Sequence, residues 1–210
     1  MLDGFGGMGY VGGLMRASAA FQLKSKTHPD WVKGILKNFD AFLADHADCE
    51  KKASAMAMHF VSKYPDRVEL HRPMIDLALE ELQHFKQVYL LLRKRNAPLL
   101  DCAIHDPYVN GLLVLCRHGR DERLLDRLLI VSIVETRGAE RFRIVSQALK
   151  DPELKKFYRT LYSAEARHGN LFVVLAQKYF SGKVIKTRLE ELLTEEARLV
   201  DRLEWRPSLH

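Results

Sequence analysis

Two Glu-x-x-His motifs, Glu81/His84 and Glu165/His168, constrain this chain more than any other feature, because each is preceded by a lone Glu at nearly the same distance. Glu50 lies 31 residues before Glu81, and Glu135 lies 30 residues before Glu165. Residues three apart on an α-helix share a face, so each motif offers a carboxylate and an imidazole one turn apart. The pattern predicts a duplicated helix pair. One helix supplies a single Glu, the next supplies Glu and His, and two such pairs gather four Glu and two His, a donor set for two divalent ions.

The apolar seams agree. Around the first motif the stripe runs Leu70, Met74, Leu77, Glu81, His84, Val88, Leu91, and around the second Leu154, Tyr158, Leu161, Glu165, His168, Phe172, Leu175, Tyr179. The lone acids sit on the same kind of stripe, in Phe39, Leu43, His46, Glu50, Ala53, Ala57, Phe60 and in Leu124, Leu128, Val131, Glu135, Gly138, Phe142, Val145. Steps of three and four mark a helix buried along one face. Glu140 competes with Glu135, but five residues of helix turn it about 140° off the seam; Glu80 lies about 100° off the stripe that holds His84. His46, one turn before Glu50, is read first as a satisfied core histidine and second as a partner of the site.

Burying four unpaired carboxylates would cost several kcal/mol each, against a net domain stability of about 5–15 kcal/mol. Two divalent cations balance four Glu, and oxygen with imidazole ligation suits iron or manganese, whereas a structural zinc more often recruits thiolates. This is the ligand pattern of ferritin-like di-metal bundles. The fold class expected is therefore all-α, a ferritin-like four-helix bundle. Asp30 could cap a helix reaching about Lys63, Pro65 begins one reaching about Arg95, Asp121 could cap a third ending near Lys150, and Asp151-Pro152 starts a fourth. Asn96 to Tyr108 and a short helix from Val109 to Arg117 would form the long crossover, and about Val184 to Leu203 an additional C-terminal helix. No stretch alternates with period two, so strands are not expected.

At 210 residues and 47% hydrophobic the chain can bury one core, read as a single domain over 30–210 behind a flexible Gly-rich arm over 1–29, its glycines running from Asp3 to Gly13. No apolar run approaches the roughly 18 residues that span a bilayer, and the charged 184–203 segment does not suit a membrane-lying helix. Cys49, Cys102 and Cys116 form no Cys-x-x-Cys pair, which disfavours a disulfide framework or a rubredoxin-like module and suits a reducing cytoplasm. A formal charge of +6 and a pI near 9.2 favour a polyanionic partner. The basic residues cluster: Lys51 and Lys52 follow one lone Glu, Arg137, Arg141 and Arg143 follow the other, and Arg117, Arg120, Arg123 and Arg127 surround the start of the third helix. The first two groups occupy equivalent places in the duplicated unit and could flank one mouth of the site.

The strings Asp45-His46-Ala47-Asp48-Cys49-Glu50-Lys51-Lys52-Ala53, Glu80-Glu81-Leu82-Gln83-His84-Phe85, Val134 to Phe142 with its Glu-Thr-Arg-Gly-Ala-Glu-Arg-Phe phrase, and Ala164-Glu165-Ala166-Arg167-His168 resemble the bacterial tRNA hydroxylase family called MiaE. The resemblance covers about residues 30–205. It implies a non-haem di-iron monooxygenase that hydroxylates the isopentenyl group of 2-methylthio-N6-isopentenyladenosine beside the anticodon, using O2 and electrons from an external reductase. It also implies that Glu50, Glu81, His84, Glu135, Glu165 and His168 are the iron ligands through which catalysis runs. The partner implied is tRNA, contacted by Lys51, Lys52, Arg137, Arg141, Arg143, Arg117 and Arg120, with neither DNA nor membrane involved. Ala53 and Gly138 could leave space for oxygen or the prenyl tail. A ferritin-like oxidase, peroxidase or iron-handling protein without RNA would use the same ligands and is the alternative.

Overall fold

The computed structural model describes residues 21–101, 106–204, 206 and 208–210; the Gly-rich stretch and Cys102 lie outside them. In chain order the helices are α1 Trp31–Lys37, α2 Phe39–Lys63, α3 Val68–Lys94, α4 Pro107–Leu113, α5 Arg120–Ala148, α6 Pro152–Ala176 and α7 Gly182–Arg202, with no strand among the described residues. The hairpins α2–α3 and α5–α6 make the four-helix bundle, and α1, α4 and α7 pack against it around α5.

Local chemistry sets the helix ends. Asp151 accepts from the backbone N–H groups of Glu153 and Leu154 at 2.8 and 3.0 Å ahead of Pro152, the cap-and-proline start that the sequence signals. Asp106-Pro107 repeats it, with Tyr108 and Val109 donating to Asp106 Oδ1, so α4 begins two residues before the expected Val109. It also ends earlier than Arg117, because Asp126 takes the Arg117 backbone N–H at 2.8 Å as well as its guanidinium. Asn96 closes α3 at φ 55°, with Ala97 N–H donating to Leu92 O, a left-handed cap that Asn tolerates.

The single helix expected from Asp30 to Lys63 is instead two. Asn38 leaves helical geometry at φ −134°, ψ 56°. The break turns Trp31 inward to pack edge-on against Phe42 at 6.3 Å, and its Nε1 donates to Ser208 O. Burial of Trp31 and Ile35 repays the lost helical bonds in a way that local propensity does not register.

The core is divided. One apolar cluster holds Phe60, Met74, Leu128 and Phe172, the other Phe42, Leu92, Phe142 and Tyr158. Between them lie the six seam Glu and His residues. Helix α5 runs through the middle and is covered on nearly every side, so its polar face is enclosed by α7 and by residues 21–29. Glu140 points into that enclosure, accepting from Thr27 Oγ1 at 2.7 Å and pairing with Arg137.

Arg137 is fully buried, donating to Glu196 Oε1 at 3.0 and 2.7 Å and to Ser25 O at 2.9 Å. Arg141 is buried beside it, stacked over Trp31 at 5.1 Å and bonded to Leu209 O. Arg137 is therefore corrected from an RNA contact to an interior cation, while Arg141, buried over most of its surface, still borders a hollow with Lys26, His28 and Arg206. Replacing Arg137 by Met leaves Glu196 buried without its counter-charge and is expected to cost about 3–5 kcal/mol in urea unfolding. Adding Glu196→Leu should recover most of that loss. Equal losses in the single and double variants would show that this pair does not hold α7 on α5.

Candidate metal centre

Glu50 on α2, Glu81 and His84 on α3, Glu135 on α5, and Glu165 and His168 on α6 converge midway along the bundle, none more than 7% exposed. Their donor atoms fall into two overlapping groups, each within a 4.8 Å span: Glu50, Glu81, His84 and Glu165, and Glu81, Glu135, Glu165 and His168. Glu81 and Glu165 belong to both. Glu81 turns Oε2 to His84 Nδ1 at 3.0 Å and Oε1 to His168 Nδ1 at 2.9 Å. His84 Nδ1 lies 3.7 Å from Glu50, and His168 Nδ1 3.8 Å from Glu165.

The fit to metal ions is visible in directionality. Glu81 Oε1 and His168 Nδ1 lie within contact distance, yet neither has a hydrogen-bond partner among the described residues. Buried polar atoms are ordinarily paired. Two that approach without pointing at each other could serve a common ion, and the all-oxygen and imidazole donor set would suit iron or manganese.

Electrostatics tell the same story. Burial, then the charge of Glu81, drives Glu50 well above the usual carboxylate range, and burial with the neighbouring Glu165 does the same to Glu135. Glu165 rises through burial and the Glu81 charge. Burial opposes the charging of His84, but bonds from Glu50 and Glu81 outweigh it and raise its pKa to about 10; His168 is raised in the same manner by Glu165, Glu80 and Glu81. Glu81 is lowered, since the facing imidazoles of His168 and His84 overcome its burial. Burial and mutual repulsion thus favour uncharged carboxyls at Glu50, Glu135 and Glu165, or cations beside them.

Two supporting residues complete the centre. His46 is fully buried, with Nε2 2.6 Å from Glu50 Oε1 and Nδ1 3.3 Å from Tyr158 Oη. Burial, reinforced by the His84 charge, lowers its pKa to about 3, so the neutral ring donates from Nε2 to Glu50 and accepts from Tyr158. The two readings of His46 coincide: it is a satisfied core histidine, and the partner that satisfies it is Glu50. Glu80, off the ligand stripe as the sequence indicates, lies 3.2 Å from His168 Nε2, 4.0 Å from His84 Nε2 and 2.6 Å from Arg167. It faces the outer nitrogens of both histidines, with His168 Nε2 making no hydrogen bond among the described residues; a carboxylate there is placed to orient a ligating imidazole.

A cavity of about 280 Å³ adjoins the carboxylates on the side between α2 and α5, roofed by α4 and residues 209–210. Ala53, Met56, Val131, Val134 and Phe142 line it, with Lys52 and Arg127 also on its wall. On the α3/α6 side, Arg72, Asp76, Glu80 and His168 border a second, shallower hollow. Lys52 and the exposed Lys51 both pair with Asp48 at 2.6 Å. Arg120 is exposed and pairs with Asp66, Arg143 is exposed on α5, and Arg117 is half-buried against Asp126. Of the seven basic residues considered from sequence, only Lys52 touches the cavity; Arg127, which the sequence places only in a general cluster, joins it there.

A family profile described as tRNA-(MS2IO6A)-hydroxylase (MiaE) matches residues 15–210. The chain belongs to the MiaE family. A MiaE relative from Pseudomonas putida, tRNA 2-(methylsulfanyl)-N(6)-isopentenyladenosine(37) hydroxylase, is 34% identical over 82% of this chain and 83% of its own length. The protein of the same name from Salmonella typhimurium is 29% identical over 78% of this chain and 77% of its own. A solved Synechococcus structure, protein 43 with aldehyde deformylating oxygenase activity, superposes with a TM-score of 0.84 at 31% identity, covering 90% of this chain and 94% of that one. The architecture is ferritin-like.

Two outcomes follow for the MiaE centre. With metals chelated, Glu50, Glu135, Glu165 and His84 all bind protons more tightly folded than unfolded. The His84 contribution is complete below its ordinary 6.5 and lost as pH rises towards 10, and those of the three Glu fall as pH climbs past the usual carboxylate range; Glu81, Glu80 and His46 run the other way, but chiefly below the ordinary pKa of each. Chelated protein should therefore melt lower at pH 9 than at pH 6, and iron or manganese should widen the gap between loaded and chelated protein as pH rises, since metal replaces protons. A chelated melting point that is flat or rising over this range would contradict the assignment. Separately, Glu80→Gln is expected to weaken metal affinity about 10–100-fold in competition with a chelating dye while the fold is retained.

Proposed function

We propose that this protein hydroxylates the isopentenyl side chain of 2-methylthio-N6-isopentenyladenosine in tRNA, with Glu50, Glu81, His84, Glu135, Glu165 and His168 holding two iron ions. The observation that carries the reading is the pair of donor groups sharing Glu81 and Glu165 beside an apolar cavity, in a chain of the MiaE tRNA hydroxylase family. The net change adds one oxygen atom from O2 to a C–H bond and reduces the other to water, with two electrons and two protons supplied from outside. Two irons, when bound, supply the dioxygen activation that an allylic C–H bond requires.

The chain's own residues do the rest. Four Glu neutralise the charge of two divalent ions, and His46 and Glu80 keep ligands in their working orientation. Ala53, Met56, Val131, Val134 and Phe142 exclude water and receive the prenyl group. Ala53 contributes space to that cavity. The base enters splayed from its stack, with Lys52 and Arg127 nearest the phosphates and Lys51, Arg120 and Arg143 adding surface charge. An external reductase delivers the electrons, and tRNA modification sets the work in the cytoplasm; no described helix is long and apolar enough to cross a membrane.

The 31% identity to a protein with aldehyde deformylating oxygenase activity sustains a second reading, in which the apolar cavity takes an aldehyde chain. Iron-loaded, reduced protein incubated with isopentenylated tRNA and oxygen is expected to yield a hypermodified adenosine heavier by one oxygen in nucleoside mass spectrometry. Glu135→Ala should lower this yield at least 100-fold while circular dichroism stays helical. Unchanged tRNA alongside conversion of a fatty aldehyde would transfer the assignment to the second reading.

A further inference from the structure

One polar side chain on the cavity wall belongs to neither donor group of the centre, although its ring nitrogen lies within 4.8 Å of donor atoms of Cys49 and Asp106. The imidazole of His210 is only 8% exposed and lines the cavity with Glu135 and Glu165. Its Nδ1 lies 3.5 Å from Asp106 Oδ2 and 3.9 Å from Cys49 Sγ, and its ring stacks on Tyr108 at 5.4 Å and 12°. Its Nε2 has no hydrogen-bond partner among the described residues. A Cβ added to Gly138 would lie 3.9 Å from that nitrogen and 4.0 Å from Glu165 Cγ, so Nε2 sits over bare backbone on the side of the centre.

The placement is built. Leu209 N–H donates to Asp45 Oδ2 at 2.6 Å, Arg141 holds Leu209 O, and Trp31 Nε1 donates to Ser208 O. Asp106 is itself fixed as the cap of α4, accepting from two backbone N–H groups. A carboxylate facing Nδ1 keeps the proton of a neutral imidazole on that nitrogen. In that form Nε2 carries the lone pair, and no donor meets it among the described residues.

The substrate has one in the right place. An isopentenyl group on N6 of adenosine leaves a single hydrogen on that nitrogen, while N1, N3 and N7 of the base only accept. We propose that His210 Nε2 accepts the N6–H of the isopentenyladenosine, which makes His210 a specificity-determining residue that fixes where the prenyl group enters the cavity. This rests on the tRNA hydroxylase reading. Asp106 acts through His210 as a positioning residue, and Tyr108 sets the ring plane.

The test compares two anticodon stem-loop RNAs, one carrying N6-isopentenyladenosine and one with oxygen in place of N6–H, titrated calorimetrically into iron-loaded protein without oxygen. Wild type should bind the N6–H form about tenfold more tightly, as one buried hydrogen bond gives. His210→Phe, which keeps the stacking on Tyr108, should reduce that preference to about one with affinity for the oxygen analogue unchanged. His210→Gln, whose amide oxygen still accepts, should restore part of it. A preference that survives in His210→Phe, an equal loss for both RNAs, or no preference in wild type overturns the His210 assignment alone. Binding of neither RNA by wild type overturns the substrate reading and this inference with it.

Discussion

Four carboxylates inside one helical bundle are the constraint on which everything else here depends. Each resists removal from water, and none has a cationic side chain of Lys or Arg as its partner. The bundle answers by crossing them with imidazoles and by offering a common focus where divalent charge can settle. The divided core follows from the same need, since apolar packing above and below keeps water from the layer and so strengthens attraction to any cation placed there.

The centre has two unlike sides. Between α2 and α5 the wall is apolar and deep, with cations at the protein surface nearby; between α3 and α6 it is shallow, and the outer edge of His168 meets solvent through Glu80. The apolar side of the centre and its solvent-facing side are thus opposite faces. Helix α5 makes this possible by being covered on its remaining sides, and the buried Arg137–Glu196 pair is the electrostatic cost of that coverage.

Legibility from sequence followed the range of the interactions. The six seam residues could be read because helical periodicity is local and an unpaired Glu on an apolar stripe conflicts with it; the chain then resolves that conflict by gathering them. The Asp151-Pro152 start was equally local. The burial of Arg137 and most of Arg141 is not legible, because an arginine-rich helix face is usually solvated and nothing near them in sequence says that α7 and residues 21–29 return to cover it. The break at Asn38 depends on Trp31 finding Phe42 and Ser208, and His210 owes its position to Asp106 and Tyr108, about a hundred residues away. Glu80 lies off the seam that the sequence shows, and its place behind the histidines emerges only when α3 and α6 are side by side.

The overlap of the two donor groups carries a consequence for the halves of the chain. Hairpin α2–α3 provides Glu50, Glu81 and His84 but takes its fourth donor, Glu165, from the other hairpin; α5–α6 provides Glu135, Glu165 and His168 and takes Glu81 in return. The exchange is reciprocal, as in a two-fold dimer whose subunits complete each other's sites. Joined in one chain, the two hairpins cannot dissociate, and they are not equivalent: α5 is enclosed by α7 and residues 21–29, as α2 is not. Neither hairpin alone owns a four-donor site, so metal occupancy reports on the union of the halves and not on either one.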